Sequence, residues 1–261
     1  MFISQIWIYP VKSCAGLRLA DGVLDERGLR DDRRWMLVDG AGTLLTQREV
    51  PQLVRVHPSL EPDALVLAAP GMPVLRLPRG SAEGPRRVRV WGDVMDALAV
   101  PQARSWFRSF TAREVELVYL PDSSLRPMNP EFGTRSLSFV DGNPLHLVSD
   151  SSVAELNARL SAPVELSRFR ANLVVSGAEP YAEDRWRRIR IGAVSYELYE
   201  ACQRCVMLNV DPATSALGKE PLATLARYRR VDGHVVFGRN LNHLATGVVR
   251  VGDPVSVVQE R

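Results

Sequence analysis

A chain of 261 residues, 46% hydrophobic and 24% charged, is long enough for one large or two ordinary domains and can bury a substantial core. A formal charge of +3 is too small to argue for nucleic acid, and no run of about 18 apolar residues is present that would cross a membrane. Three cysteines, an odd number, do not build a disulfide framework, and "MFISQIWIYPVKSC" lacks the charged start and long apolar stretch of a signal peptide, so the expected setting is cytoplasmic.

In chain order, "FISQIWIY", "RWMLVD", "TLLTQ", "LVRVHP", "ALVLAAP", "PVLRLP" and "RRVRVW" read as short strands separated by Gly, Pro and Asp turns, a spacing that suggests a barrel or curled sheet. "PQARSWFRSF" has helical spacing, with Trp106 and Phe107 toward a core. The polar, proline-rich segment 121–136 reads as a connection or an active-site loop, and a plausible pocket wall. "LHLVS" is then a strand and "DSSVAELNARL" a helix, with Ser152 and Glu155 at capping-box spacing. The strands "ANLVVSG", "RRIRIG", "VSYELYE", "CVMLNV", "HVVFG" and "GVVRVGDPVSVV" follow, interrupted by a short helix around "PLATLARY". The fold class expected is mainly β with some α.

The chemistry concentrates in "EACQRCVMLNVDP", where Cys202 and Cys205 form a C-x-x-C pair. A structural zinc site needs four ligands, but only Cys14 and the scattered His57, His146, His234 and His243 remain to supply a second pair. A dithiol redox pair normally opens a helix after a strand, whereas Cys205 starts a strand-like stretch. Two readings stay open beside these. Both thiols are buried small hydrophobes, or one acts as a soft metal ligand or sulfur nucleophile, its pKa lowered by Arg204.

Other segments suit an anion. Lysine occurs only at Lys12 and Lys219, so 31 of the 33 basic residues are arginine, and Lys12 stands beside Ser13 as a point charge next to a hydroxyl. "LRDDRRW" crowds Arg30, Arg33 and Arg34, and "RFRANLVV" sets Arg168 and Arg170 on one face of a strand entrance, ahead of Asn172. Each of these signals is weak alone, since a solvated basic face explains most such runs.

Together, "QIWIYPVKSCAG", "RFRANLVVSGAEPYAED", "ACQRCVMLNVDPATS", "KEPLATLARYR" and "VRVGDPV" resemble the molybdenum cofactor sulfurase C-terminal (MOSC) proteins, in the branch that includes the amidoxime reducing components, in the same order over about residues 3–258. The resemblance implies an N-terminal β-barrel domain over 1–120 and a β-barrel-like MOSC domain over 121–261. It implies a molybdenum–molybdopterin cofactor, with Cys205 as metal ligand and catalytic centre and Cys202 as packing. Cofactor contacts map onto Lys12, Ser13 and Arg33 from the first half and onto Asp141, Arg170, Asn172, Gln203 and Arg204 from the second. Asn240 stands where eukaryotic relatives have a tyrosine, and Gly142 replaces a hydroxyl residue. The implied activity is an oxidoreductase that reduces amidoximes, hydroxylamines and N-hydroxylated bases by oxygen-atom transfer to molybdenum. Its partners would be a small N-oxygenated substrate and a separate electron donor, a ferredoxin or flavin reductase, with no nucleic acid and no membrane; pyridoxal phosphate is not expected. The alternative is a sulfur carrier or cofactor-binding protein with a persulfide on Cys205.

Overall fold

A computed structural model describes all 261 residues. Strands dominate, with three α-helices at Arg104–Thr111, Asp150–Ala158 and Leu222–Tyr228. The N-terminal strand Phe2–Ile8 alternates buried and less buried positions and buries Ile3, Ile6 and Ile8 at 0–1% exposure. It runs antiparallel to Leu173–Ser176 on one side and to Leu17–Leu19 on the other, so the start of the chain is an inner strand of the largest sheet. That sheet continues through Leu145–Ser149, His234–His243, Val194–Gln203 and Trp186–Ile191 to Val255–Glu260. Its order is an open path and not a closed ring.

Leu145–Ser149 and Leu173–Ser176 pair in parallel, and helix Asp150–Ala158 makes the crossover between them. The cap of this helix differs from the sequence expectation. Ser149 is the N-cap and accepts from the Ser152 N–H at 3.2 Å, while the Ser152 hydroxyl is spent on the buried Glu183 carboxylate. "CVMLNV" also departs from its strand reading. The strand ends at Gln203, and Val206–Asn209 is a 3-10 turn with Leu208 N–H donating to Cys205 O at 3.0 Å. The apolar run packs one face into a core with Leu208, which a tight turn does as well as a strand.

Residues 1–120 contribute two smaller sheets, one joining Trp35–Val38, Glu116–Tyr119, Asp93–Ala99 and Glu83–Val90, the other His57–Leu60, Ala64–Ala68 and Leu75–Pro78. A third joins strands from both halves, because Asp21–Asp25 pairs with Gly247–Arg250. Trp106 and Phe107 face a core shared with Val11, Trp35, Leu117 and the buried Cys14. The proline-rich 121–136 segment is a connection tied to the body by Arg27, which donates to Ser136 Oγ and to the carbonyls of Asp122, Ser124 and Leu137. No helix is long and apolar enough to cross a membrane.

Candidate functional site

A cleft of about 330 Å³ is lined by residues 12–48 of the first half and 140–240 of the second. Each wall follows from local backbone structure. After the first strand ends, Val11 bridges to Trp35 and the Lys12 N–H donates to Trp35 O at 2.8 Å. This turns the Lys12 side chain inward, where Nζ donates to Phe139 O and to Asp141 Oδ1, both at 2.7 Å. Burial pulls the Lys12 ammonium below its ordinary value and the Asp141 charge resists that. For Asp141, desolvation in the cleft works against its charge. Lys12 and the Trp91 indole N–H, 3.1 Å away, outweigh it and hold the carboxylate well below the usual range. The buried Arg126 guanidinium donates to Ser138 O and Asp141 O and so fixes the backbone that carries Asp141.

The run "LRDDRRW" separates in space. Arg34 turns away to Leu120 O and Asp122, and Arg30 is exposed, so only Arg33 enters the cleft. Asp32, 3% exposed, is the hub beneath it. Its carboxylate accepts from the Tyr9 N–H at 2.7 Å, from Arg33 Nη1 and from Asn172 Nδ2 at 3.2 Å. Asn172 accepts in turn from the His146 N–H and from Arg33 Nη1 and donates to Trp7 O, so its amide holds Arg33 and the sheet in register. Arg33 and Arg170 each stack on the Tyr9 ring, 4.4 and 4.2 Å from its centroid. Burial, and then the nearby Arg33, lowers Arg170 to about 10, still charged at neutral pH.

Past the end of strand Val194–Gln203, the Arg204 N–H donates to Val235 O at 2.7 Å and extends the pairing by one residue. Gln203, Arg204 and Cys205 thereby stand at the cleft. The Arg204 guanidinium reaches Cys202 Sγ at 3.2 Å and Phe169 O at 2.9 Å. Even so, burial raises the Cys202 thiol, with Arg204 opposing it. The cation on Cys205 is instead Arg48, whose Nη2 lies 3.1 Å from Sγ. The sequence reading assigned thiol activation to Arg204 by adjacency; across a strand end, neighbours in sequence point apart and a distant loop supplies the contact. The three cysteines are unpaired, and Cys14 is pushed up to about 12 by burial in the core.

The ten residues that the family resemblance assigns to cofactor or metal all line this one cleft: Lys12, Ser13, Arg33, Asp141, Arg170, Asn172, Gln203, Arg204, Cys205 and Asn240. Asn240 faces Glu200 at 3.5 Å, and at Gly142 an added Cβ would meet nothing within 4 Å. The proline-rich segment expected as a pocket wall lies off the cleft, and 140–143 forms that wall. Sequence reasoning missed Asp32, Arg48, Trp91 and Arg126, which stand outside the motifs or look like ordinary surface charge.

The site carries two marks of a ligand cradle. Six basic side chains (Lys12, Arg33, Arg48, Arg168, Arg170 and Arg204) line the cleft against two acidic lining residues, Asp141 and Glu200, with Asp32 and Asp211 behind the wall pairing Arg33 and Arg168. Ser13 Oγ and Arg204 Nε are buried without a hydrogen-bond partner, a cost a bound anion would relieve. Three lining residues, Ser13, Arg33 and Arg170, have positive φ, between 50° and 70°, and Trp91, which reaches Asp141 from outside the lining, has φ 55°.

Comparison with known proteins finds two family descriptions along the chain. The family description "MOSC N-terminal beta barrel domain" matches residues 1–114, and "MOSC domain" matches 134–256. The chain is 34% identical to mitochondrial amidoxime reducing component 2 of Rattus norvegicus and 35% identical to that of Bos taurus, each over 97% of this chain and 82% of the relative. It is 36% identical to the molybdenum cofactor sulfurase of Oryza sativa subsp. japonica over 92% of this chain, which spans 32% of that protein.

Proposed function

Because the chain belongs to the MOSC family, we propose that it is a molybdenum-cofactor-dependent reductase of N-oxygenated compounds. What supports this most is one feature of the cleft: basic and unpartnered polar groups from both halves converge beside the Cys205 thiol, with Cys202 in the same lining. The residues present fit a pterin cofactor with an anionic phosphate. Arg170, Arg204 and Arg33 would present guanidinium groups to the phosphate, and Ser13 Oγ and Arg204 Nε would gain partners there. Asp141, held ionised, is an acceptor for pterin N–H groups, and being ionised it does not donate a proton. No group of three or more His, Cys, Asp or Glu side chains is placed to hold a metal ion, so most ligands would have to come with the cofactor, and Cys205 is the protein ligand the family resemblance assigns. Cys205 is suited to this as a soft ligand at the mouth. When bound, the cofactor would supply a two-electron centre able to accept an oxygen atom.

The reaction balances as one N–OH group, two electrons and two protons giving N–H and water. The cleft is open enough for protons to come from solvent. The three cysteines of these 261 residues, one of them buried in the core, cannot form a four-cysteine iron–sulfur site. The proposed electron source lies outside these 261 residues, a ferredoxin or a flavin reductase. The domain division at 120/121 belongs to the same proposal.

The test is turnover of benzamidoxime with a reduced viologen as electron source. Wild type should form benzamidine, Cys205→Ser should lose at least a hundredfold, and Cys202→Ser should keep most of its rate. Equal losses in the two variants would point to a dithiol and overturn the assignment. The sulfur-carrier reading predicts instead a persulfide on Cys205 and no turnover in wild type.

A further inference from the structure

Trp91 sits where nothing in the fold requires a tryptophan. It is at the tip of the hairpin joining Glu83–Val90 to Asp93–Ala99, in a two-residue loop with Gly92. Trp91 takes the left-handed conformation, φ 55°, and the glycine beside it does not. A bulky residue at positive φ costs free energy that glycine would avoid. Its ring joins none of the hydrophobic clusters and stays 46% exposed. Its hydrogen bond goes to Asp141 in the cleft, and its face carries the Arg48 guanidinium, 5.1 Å from the ring centroid. The same guanidinium touches Cys205 Sγ at 3.1 Å, which puts the indole within about 10 Å of the sulfur. Arg48 forms no ion pair with any carboxylate. It is a planar, nitrogen-rich group lying over an indole with one edge at the candidate reactive centre.

We propose that Trp91 is a specificity-determining platform on which planar conjugated N-hydroxy substrates stack, N-hydroxyamidines and N-hydroxylated aromatic bases above all, in the space the Arg48 guanidinium fills here. An amidoxime presents the same planar N–C–N unit as a guanidinium but without its charge, and an indole face holds such conjugated planes by stacking. A small hydroxylamine has no conjugated plane and gains nothing from the platform. This rests on the reductase reading for the reaction, but not for the binding.

The test uses holoenzyme with molybdenum and pterin content measured for each variant, and reads both kinetics and calorimetric binding. For Trp91→Ala, benzamidoxime should bind about tenfold more weakly (~1.4 kcal/mol) and its KM should rise in step. Per bound molybdenum, kcat/KM for benzamidoxime should fall about tenfold more than kcat/KM for hydroxylamine, whatever both lose through the contact with Asp141. Trp91→Phe, which keeps a ring face and loses the N–H to Asp141, should bind within about threefold of wild type. Equal losses on both substrates, or Trp91→Phe as weak as Trp91→Ala, would reduce Trp91 to a prop for Asp141 and overturn the proposal. Benzamidoxime binding that ignores Trp91→Ala would overturn it too. Trp91-dependent binding in a wild type that reduces no N–OH compound would leave the platform standing and remove the reductase reading.

Discussion

At the scale of single residues, the cleft depends on side chains that never reach a ligand. Asp32 is the main example: buried, it neutralises Arg33 and ties Asn172 and the Tyr9 backbone together. Removing one partner of a buried ion pair leaves an uncompensated charge, so Asp32→Ala should lower unfolding free energy by about 3 kcal/mol and weaken cofactor retention, read by denaturant titration and by metal content after dialysis. The buried histidines give a pH dependence. Burial, reinforced for each by a nearby arginine, holds His146 well below the ordinary histidine range and His243 below it. In the unfolded chain both titrate near ~6.5. As pH falls through that value, the unfolded state takes up protons that the folded state refuses, so the histidines' contribution to stability is complete above about pH 6.5 and is lost below it. His146→Gln should flatten that decline by about 1 kcal/mol per pH unit between 6.5 and 5. An unchanged acid limb in the variant would show that His146 does not carry it. Lys12, Arg170 and Cys205 were singled out through motifs shared with a family, and the structure brings them to one cleft. Asp32, Arg48 and Trp91 were not legible in the sequence. Their importance lies in which distant atom they meet, and a sequence does not print that.

At the scale of elements, period and punctuation carried most of the information. The alternating "FISQIWI" and the continuous apolar "LHLVS" are strands as read, and the helices at 104–111, 150–158 and 222–228 fall where the spacing put them. Short apolar runs were the weak point. "CVMLNV" satisfies its burial as a 3-10 turn, and that difference sets Cys205 at the cleft instead of in a ladder. The helix cap was misassigned by three residues because Ser149, Ser151 and Ser152 are all able caps, and the buried Glu183 carboxylate decides between them by taking the Ser152 hydroxyl. The element that most controls the site is the first strand, since Trp7, Tyr9 and Lys12 all depend on its register. Ile6→Ala should cost about 2–5 kcal/mol, measured as a shift in denaturant midpoint at unchanged m-value.

At the scale of the molecule, the two halves read from the sequence are interlaced. Phe2–Ile8 pairs with Leu173–Ser176, and Asp21–Asp25 pairs with Gly247–Arg250, so strands from the first half complete sheets built by the second. Residues 1–120 expressed alone should therefore lack cooperative unfolding, whereas the whole chain should unfold in a single transition. The same interlacing explains why the cleft draws cations from both halves without a flexible joint between them. Loss of the pairing would separate Lys12 from Asp141 and open the site.

The measurement that bears most directly on this account is molybdenum and pterin per chain in protein from a host that makes the cofactor, wild type beside Cys205→Ser. Near-stoichiometric molybdenum and pterin in the wild type, with molybdenum lost in the variant, is the predicted result. Wild-type protein carrying neither, from a host whose other molybdenum enzymes are loaded, would contradict it.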